Sequence, residues 1–345
     1  MQIRGPLVAL AAVAVLLVGC GGGGSEETAD ARAGGHRQGG TKPSTSQSDV
    51  LVTVEGREGP TDVGLLIAQE RGYFFDAGIN VWIGVPLYPS RPVRYVVDGT
   101  DDIGVAQQPQ VAITKEKGAP IVAIGSLVSQ PTAALIWLKK SKIGSIADLK
   151  GRTIAIPGVP FQEALLERVL KRNGLTMDDV KVKPVGYKLV PALLKGRADA
   201  IFGGSWNLQG IDLELLGANP VIKRVQDLGI PAYEEAVLIA RTHMVDKNPQ
   251  LIRKFMSAVA RGTAVALRDP AAAVKAVQEA DEGDPELSAR VNAAEVKATL
   301  PLLSRTGSMD PGRAAGFVDW LHQEGLIRKV PSVSELLTNR FLASP

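Results

Sequence analysis

Apolar positions along this chain follow two periods. Short runs rich in β-branched residues read as strands over 50–54, 80–83, 102–105, 121–124, 132–138, 153–156, 180–185, 198–202, 221–225 and 236–241. Between them, apolar residues at helical spacing predict helices over 63–72, 91–98, 109–117, 145–151, 161–172, 190–194 and 206–216. Asp62 stands where the first of these needs an N-cap. The chain then turns helical, over 248–268, 270–279, 285–302 and 311–324. Strands alternating with helices imply an α/β fold with mostly parallel sheets, which bind ligands beyond the strand C-terminal ends.

One stretch occurs twice. Residues 193–207 read LLKGRADAIFGGSWN, and residues 96–110 read VVDGTDDIGVAQQPQ. Gly99 falls opposite Gly196 and Asp102 opposite Asp199, each ahead of a short apolar run. The glycines suit helix C-termini, which favour positive φ. In the second copy the strand is expected to stop at Gly203-Gly204, with a helix starting at Trp206. Two α/β lobes offering such strand ends to one cleft follow from the duplication. Lobe 1 is expected over 49–133 plus 236–345 and lobe 2 over 134–235, with 132–138 crossing out and 236–241 returning.

Composition changes the picture mainly at the N-terminus. The 345 residues are 45% apolar, enough for two cores, and the formal charge of +3 comes from scattered residues, giving no support for nucleic-acid binding. Arg4 precedes an apolar run from Pro6 to Val18, too short to span a bilayer and suited to a secretory signal over 1–19. That run ends in Leu17-Val18-Gly19-Cys20, and Cys20 is the only cysteine. The arrangement resembles a bacterial lipobox, which implies cleavage before Cys20, lipidation of its sulfur and anchoring to the membrane; an ordinary buried cysteine is the alternative. Residues 20–48, rich in Gly, Ser and Thr, are expected to form a flexible tether. With one cysteine, no disulfide can form within the chain.

An ordered set of short motifs carries a wider resemblance. It comprises Glu70-Arg71-Gly72-Tyr73-Phe74, the paired glycine turns, Asp148-Leu149-Lys150-Gly151, Gly203-Gly204-Ser205-Trp206-Asn207, Pro231-Ala232-Tyr233-Glu234-Glu235 and Thr338-Asn339-Arg340-Phe341-Leu342. Together these resemble the ABC-transporter solute-binding proteins grouped with thiamine-pyrimidine-synthase-like and sulfonate/nitrate/taurine-binding proteins, over roughly 50–342. The resemblance implies a type II periplasmic-binding fold, two lobes joined by two crossing strands, a small-molecule ligand, and ABC permease and ATPase partners for a monomeric receptor. There are departures. The Trp-x-Pro-Asn segment and following histidine of pyrimidine-binding members are replaced by Glu55-Gly56-Arg57-Glu58-Gly59-Pro60-Thr61-Asp62, and the cysteine-rich motif of the fungal synthases is absent.

Candidate ligand contacts follow from these positions. Trp206 and Asn207, after Ser205, could stack a planar ligand and hold a polar oxygen, or Trp206 could pack between helices. Gln107 and Gln108 are the first-lobe equivalents, with amides suited to a polar heterocycle. Gly158 and Phe161 open a helix that could cradle an oxyanion, or simply cap normally. Tyr233 and Glu235 stand where the resemblance places a cleft-facing acid, which could instead pair with an interlobe base. Thr61, Trp82 and Gln130 complete the set, Trp82 being equally suited to the core. No spacing of His, Cys and carboxylates suggests a metal site, and no cofactor motif is visible. The expectation is a receptor for a planar or heteroaromatic, thiamine-precursor-like molecule. The alternatives are a pyrimidine-synthase-like enzyme, a sulfonate- or nitrate-type anion receptor, and a sensory lipoprotein on the same fold.

Overall fold

The structure, a computed structural model, describes residues 48–281 and 285–342. The signal, Cys20 and all but the last residue of the tether lie outside the described residues. The strands are β1 (Ser48–Thr53), β2 (Ile79–Gly84), β3 (Ile103–Ala106), β4 (Ile121–Val128), β5 (Ala133–Leu138), β6 (Thr153–Ile156), β7 (Lys181–Pro184), β8 (Ala200–Ser205), β9 (Pro220–Arg224) and β10 (Ala236–Arg241). The helices before the return crossing are α1 (Val63–Glu70), α2 (Tyr73–Asp76), α3 (Arg91–Asp98), α4 (Gln108–Glu116), α5 (Pro160–Arg172), α6 (Leu189–Leu194) and α7 (Gln209–Leu215). After it come α8 (Thr242–Lys247), α9 (Pro249–Arg268), α10 (Pro270–Ala280), α11 (Pro285–Thr299), α12 (Pro311–Gln323) and α13 (Val333–Leu336).

The strands form two five-stranded sheets, ordered β2-β1-β3-β10-β4 and β7-β6-β8-β5-β9. Each holds one strand that crosses from the other lobe and therefore runs against its neighbours: β10 is antiparallel to β3 and β4, and β5 to β8 and β9. Both arriving strands are apolar at every inward position, because helices cover both faces of each sheet. In β5, Ala133, Leu135 and Trp137 enter one core while Ala134, Ile136 and Leu138 enter the core behind it. In β10, Ala236, Leu238 and Ala240 separate from Val237 and Ile239 in the same way.

The sequence duplication is a structural one. Gly99 and Gly196 both adopt positive φ, +82° and +65°. Asp102 accepts from the Leu51 amide at 3.0 Å and returns its own N–H to the Leu51 carbonyl. Asp199 does the same with Thr153, accepting at 2.9 Å. Each aspartate thus clamps the strand that follows it to a parallel neighbour, β3 to β1 and β8 to β6.

Several expected boundaries move. The chain crosses at residues 129–132 rather than along 132–138, since β5 is a full member of the second sheet. β4 runs on to Val128, and 145–151 contains only a 3₁₀ turn, Ile146–Leu149, closed by a Ser145–Asp148 capping box. β8 does not stop at Gly203 but continues to Ser205, because an irregularity between Ala134 and Leu135 lets Ser205 pair with Ala133. The following helix accordingly starts at Gln209, not Trp206, whose N–H is taken by the Thr132 carbonyl. Helix 285–302 ends its regular turns at Thr299, just before Pro301, and continues as a 3₁₀ turn. α12, expected with lobe 1, joins both: Ala314 packs with Val237 and Ile239, while Phe317, Val318 and Leu321 enter the core of the second sheet.

α1 and α9 cross at backbone contact. A Cβ on Gly262 would stand 2.0 Å from the Gly64 carbonyl oxygen, and one on Gly64 would stand 2.2 Å from Thr263 Oγ1. This crossing fixes α1, and α1 carries the turn that enters the cleft.

Candidate functional site

Both sheets present their strand ends to one groove of about 650 Å³. The first lobe supplies Glu55 and Arg57 after β1, the 3₁₀ turn Pro60–Asp62, Pro86 after β2, and Gln107 after β3. The second supplies Gln162, Tyr187, Ser205, Gln209 and Asp212, and the crossing segments add Thr132 and Glu235. Residues far apart in sequence meet there because parallel strands release their chain ends on the same edge of a sheet.

Glu235 is the pivot of the groove floor. One carboxylate oxygen accepts from the Thr132 amide at 2.6 Å, the other from Gln107 Nε2 at 2.8 Å. Burial raises its pKa, partly offset by those donors. The second acid is Asp62. It occupies the N-cap position of α1, yet its side chain makes no capping bond, which corrects the role assigned from sequence. It is 1% exposed and its Oδ1 has no partner. Burial, then the nearby Glu58, holds its pKa well above the ordinary value. Glu55 is raised likewise, by burial first and then by Glu235 and Asp62.

A second cluster joins the lobes. Glu295 of α11, fully buried, is bonded to Arg57, while Asp212 of α7 approaches from the opposite lobe. Burial pushes the Glu295 carboxyl up to about 7, with Asp212 adding to the rise and Arg57 opposing it. The folded protein therefore keeps a proton that the unfolded chain releases near 4.5. That stabilisation is complete below 4.5 and is lost as pH rises through 7. The protein is therefore expected to be less stable at pH 8 than at pH 6, by about 1 kcal/mol from this group. Urea denaturation at both pH values checks this, with Glu295→Gln expected to flatten the dependence. An equal slope in that variant would assign the effect to another group.

The candidate residues separate into two sets. Thr61, Gln107, Ser205 and Glu235 line the groove. Gln108 is buried beside it, exchanging hydrogen bonds with the Glu234 backbone at 2.9 and 3.2 Å. Tyr233 is buried under Phe317, 5.0 Å between ring centroids, and Phe161 belongs to the second core. Trp206 lies beneath the Arg224 guanidinium at 3.9 Å rather than on the groove wall. Asn207 donates to Thr299 Oγ1 at 2.7 Å, another tie between lobes. Trp82 is 59% exposed on β2, and Gln130 is exposed in the crossing segment. Gly158 borders a separate cavity at the mouth with Arg91 and Lys188.

Sequence reasoning did not place Glu55, Asp62, Gln162, Tyr187, Gln209 or Asp212 on the wall. Gly203 was a usable signal: at φ +83°, a Cβ there would sit 2.5 Å from Gln162 Oε1, so the glycine admits that amide. Tyr187 reaches across the mouth to the Pro86 carbonyl at 3.4 Å, with its ring against Gly56. Among the described residues, no group of His, Cys and carboxylates has the geometry of a metal site.

A family model described as NMT1/THI5 like matches residues 60–273. The chain is 30% identical over 297 residues to a Haemophilus influenzae protein named for thiamine biosynthesis, covering 86% of this chain and 93% of that one. It is 30% identical over 198 residues to a formylaminopyrimidine-binding protein of Halalkalibacterium halodurans, covering 57% of this chain and 60% of that protein, less than two thirds of its length. Other relatives are named 4-amino-5-hydroxymethyl-2-methylpyrimidine phosphate synthase. Among solved structures, the alkanesulfonate-binding protein of Xanthomonas axonopodis matches with a TM-score of 0.67 at 17% identity, covering 85% of this chain and 98% of that one. The shared fold is the type II periplasmic-binding fold.

Proposed function

This chain belongs to the NMT1/THI5-like family, and on that premise we propose that it is the extracytoplasmic solute-binding component of an ABC importer. It captures a small planar pyrimidine of thiamine-precursor type between its lobes and delivers it to a membrane permease. The observation that carries this reading is a groove walled by both lobes, with Gln107 and Glu235 on one side and Ser205 and Gln209 on the other. A ligand touching both walls favours the lobes-together state through contacts that an open state lacks. The formylaminopyrimidine-binding relative supports the ligand class. Cys20, at the end of the apolar run, is the residue that anchors the protein to the membrane through lipid. Among the described residues no helix is long and apolar enough to cross a membrane.

The relatives named as synthases favour a second reading, an enzyme acting on the same pyrimidine class. Thermal denaturation across pyrimidines, flavins, sulfonates, nitrate and bicarbonate separates the readings. A bound pyrimidine at one hundred times its Kd is expected to add about 2.7 kcal/mol, without being consumed. Turnover of the bound compound by the purified protein would replace the receptor with the enzyme. A shift by sulfonates or inorganic anions alone would replace the pyrimidine.

A further inference from the structure

The charged groups on the groove wall are strongly one-sided. Glu55, Asp62, Asp212 and Glu235 line it against a single base, Arg57, whose guanidinium is engaged by Glu295. A group of acids is not by itself a site, but here three buried acceptors on the wall are left without donors. Asp62 Oδ1 is one. Gln162 Oε1 and Gln107 Oε1 are the others, the latter identified as the oxygen because the same amide's nitrogen donates to Glu235. Gln107 is only 7% exposed. Buried acceptors without partners are costly, and most native ones have a donor. The remaining wall mixes uncharged polar residues, Thr61, Thr132, Ser205 and Gln209, with apolar and aromatic ones, Pro86, Leu189, Val190 and the Tyr187 ring.

We propose that the groove selects a small organic cation, an ammonium or amidinium group on a flat body, with its N–H donors directed to Asp62 and Gln107. Glu55 and Glu235 are further carboxyl groups facing the cation, whose charge favours their ionised forms against the burial that raises their pKa values. The Tyr187 face takes the body or shares the charge by cation–π attraction. Anions find no unengaged base on the wall to pair with. This inference rests on the receptor reading and narrows its ligand.

A matched pair of probes isolates charge from shape. Formylaminopyrimidine carries a neutral formamide arm, and removing the formyl group leaves the same ring with an ammonium arm at pH 7. Calorimetric titration of the full chain is expected to show the amine binding at least tenfold more tightly than the formyl compound. Asp62→Asn is expected to remove that preference, with Glu55→Gln, at an independent position, reducing it. Melting curves verify that both variants fold. A thermal screen of organic ammonium, uncharged and sulfonate compounds covers a ligand of other shape. Equal or tighter binding of the formyl compound, an unchanged preference in both variants, or a screen answered only by uncharged or anionic compounds overturns the cation inference while leaving the receptor. A screen in which nothing binds overturns both.

Discussion

Gly262→Val is expected to cost about 3 kcal/mol or more of stability, near the upper end for overpacking a core. The reason is that the clash is with backbone. The added Cβ would fall 2.0 Å from the Gly64 carbonyl oxygen and 3.0 Å from the Ala68 amide nitrogen, both in α1. No rotamer change relieves it, so α9 must move away from α1 and open the core that includes Leu65, Ile67, Phe255 and Val259. Because α1 begins directly after the Pro60–Asp62 turn, the displacement also reaches the groove. Urea unfolding should show a lower midpoint with a similar slope, and ligand affinity should fall with it. Gly262→Ala within 0.5 kcal/mol of the parent would mean that the helices yield easily here.

Glu235→Ala is expected to destabilise the empty protein by about 4 kcal/mol, from two stranded donors at 1–3 kcal/mol each. The Thr132 amide and Gln107 Nε2 both lose their acceptor at the groove floor, where each residue is largely buried. Glu235→Gln should recover only part, because one end of an amide presents N–H groups to a donor that needs an oxygen. Denaturation of both variants measures the difference. Equal losses in the two would point to side-chain volume rather than to hydrogen bonding.

Much of the fold was legible because it is written in local pattern. The uninterrupted apolar runs of β5 and β10 announced strands covered on both faces, and the Gly-Asp pairs at 99–102 and 196–199 announced two equivalent units. The groove wall was harder to read. Asp62 looks like a helix cap in its own segment, and only the packed structure shows its carboxyl buried without a capping bond. Trp206 invited a role in stacking, but β8 runs further than its glycines suggest and turns the indole toward Arg224. Asn207–Thr299 and Arg57–Glu295 join residues 92 and 238 positions apart, a separation that periodicity does not encode.

α11 lies outside the groove but reaches the other lobe through Thr299, bonded to Asn207 just ahead of α7, and through Glu295, which faces Asp212 of α7. Parting the lobes must break these links whether or not a solute is bound. The readiness with which the jaws spring apart is therefore set partly by links that lie off the solute's walls. Substitutions at Asn207 or Thr299 should alter residence time and handover to a transporter while leaving solute selectivity intact.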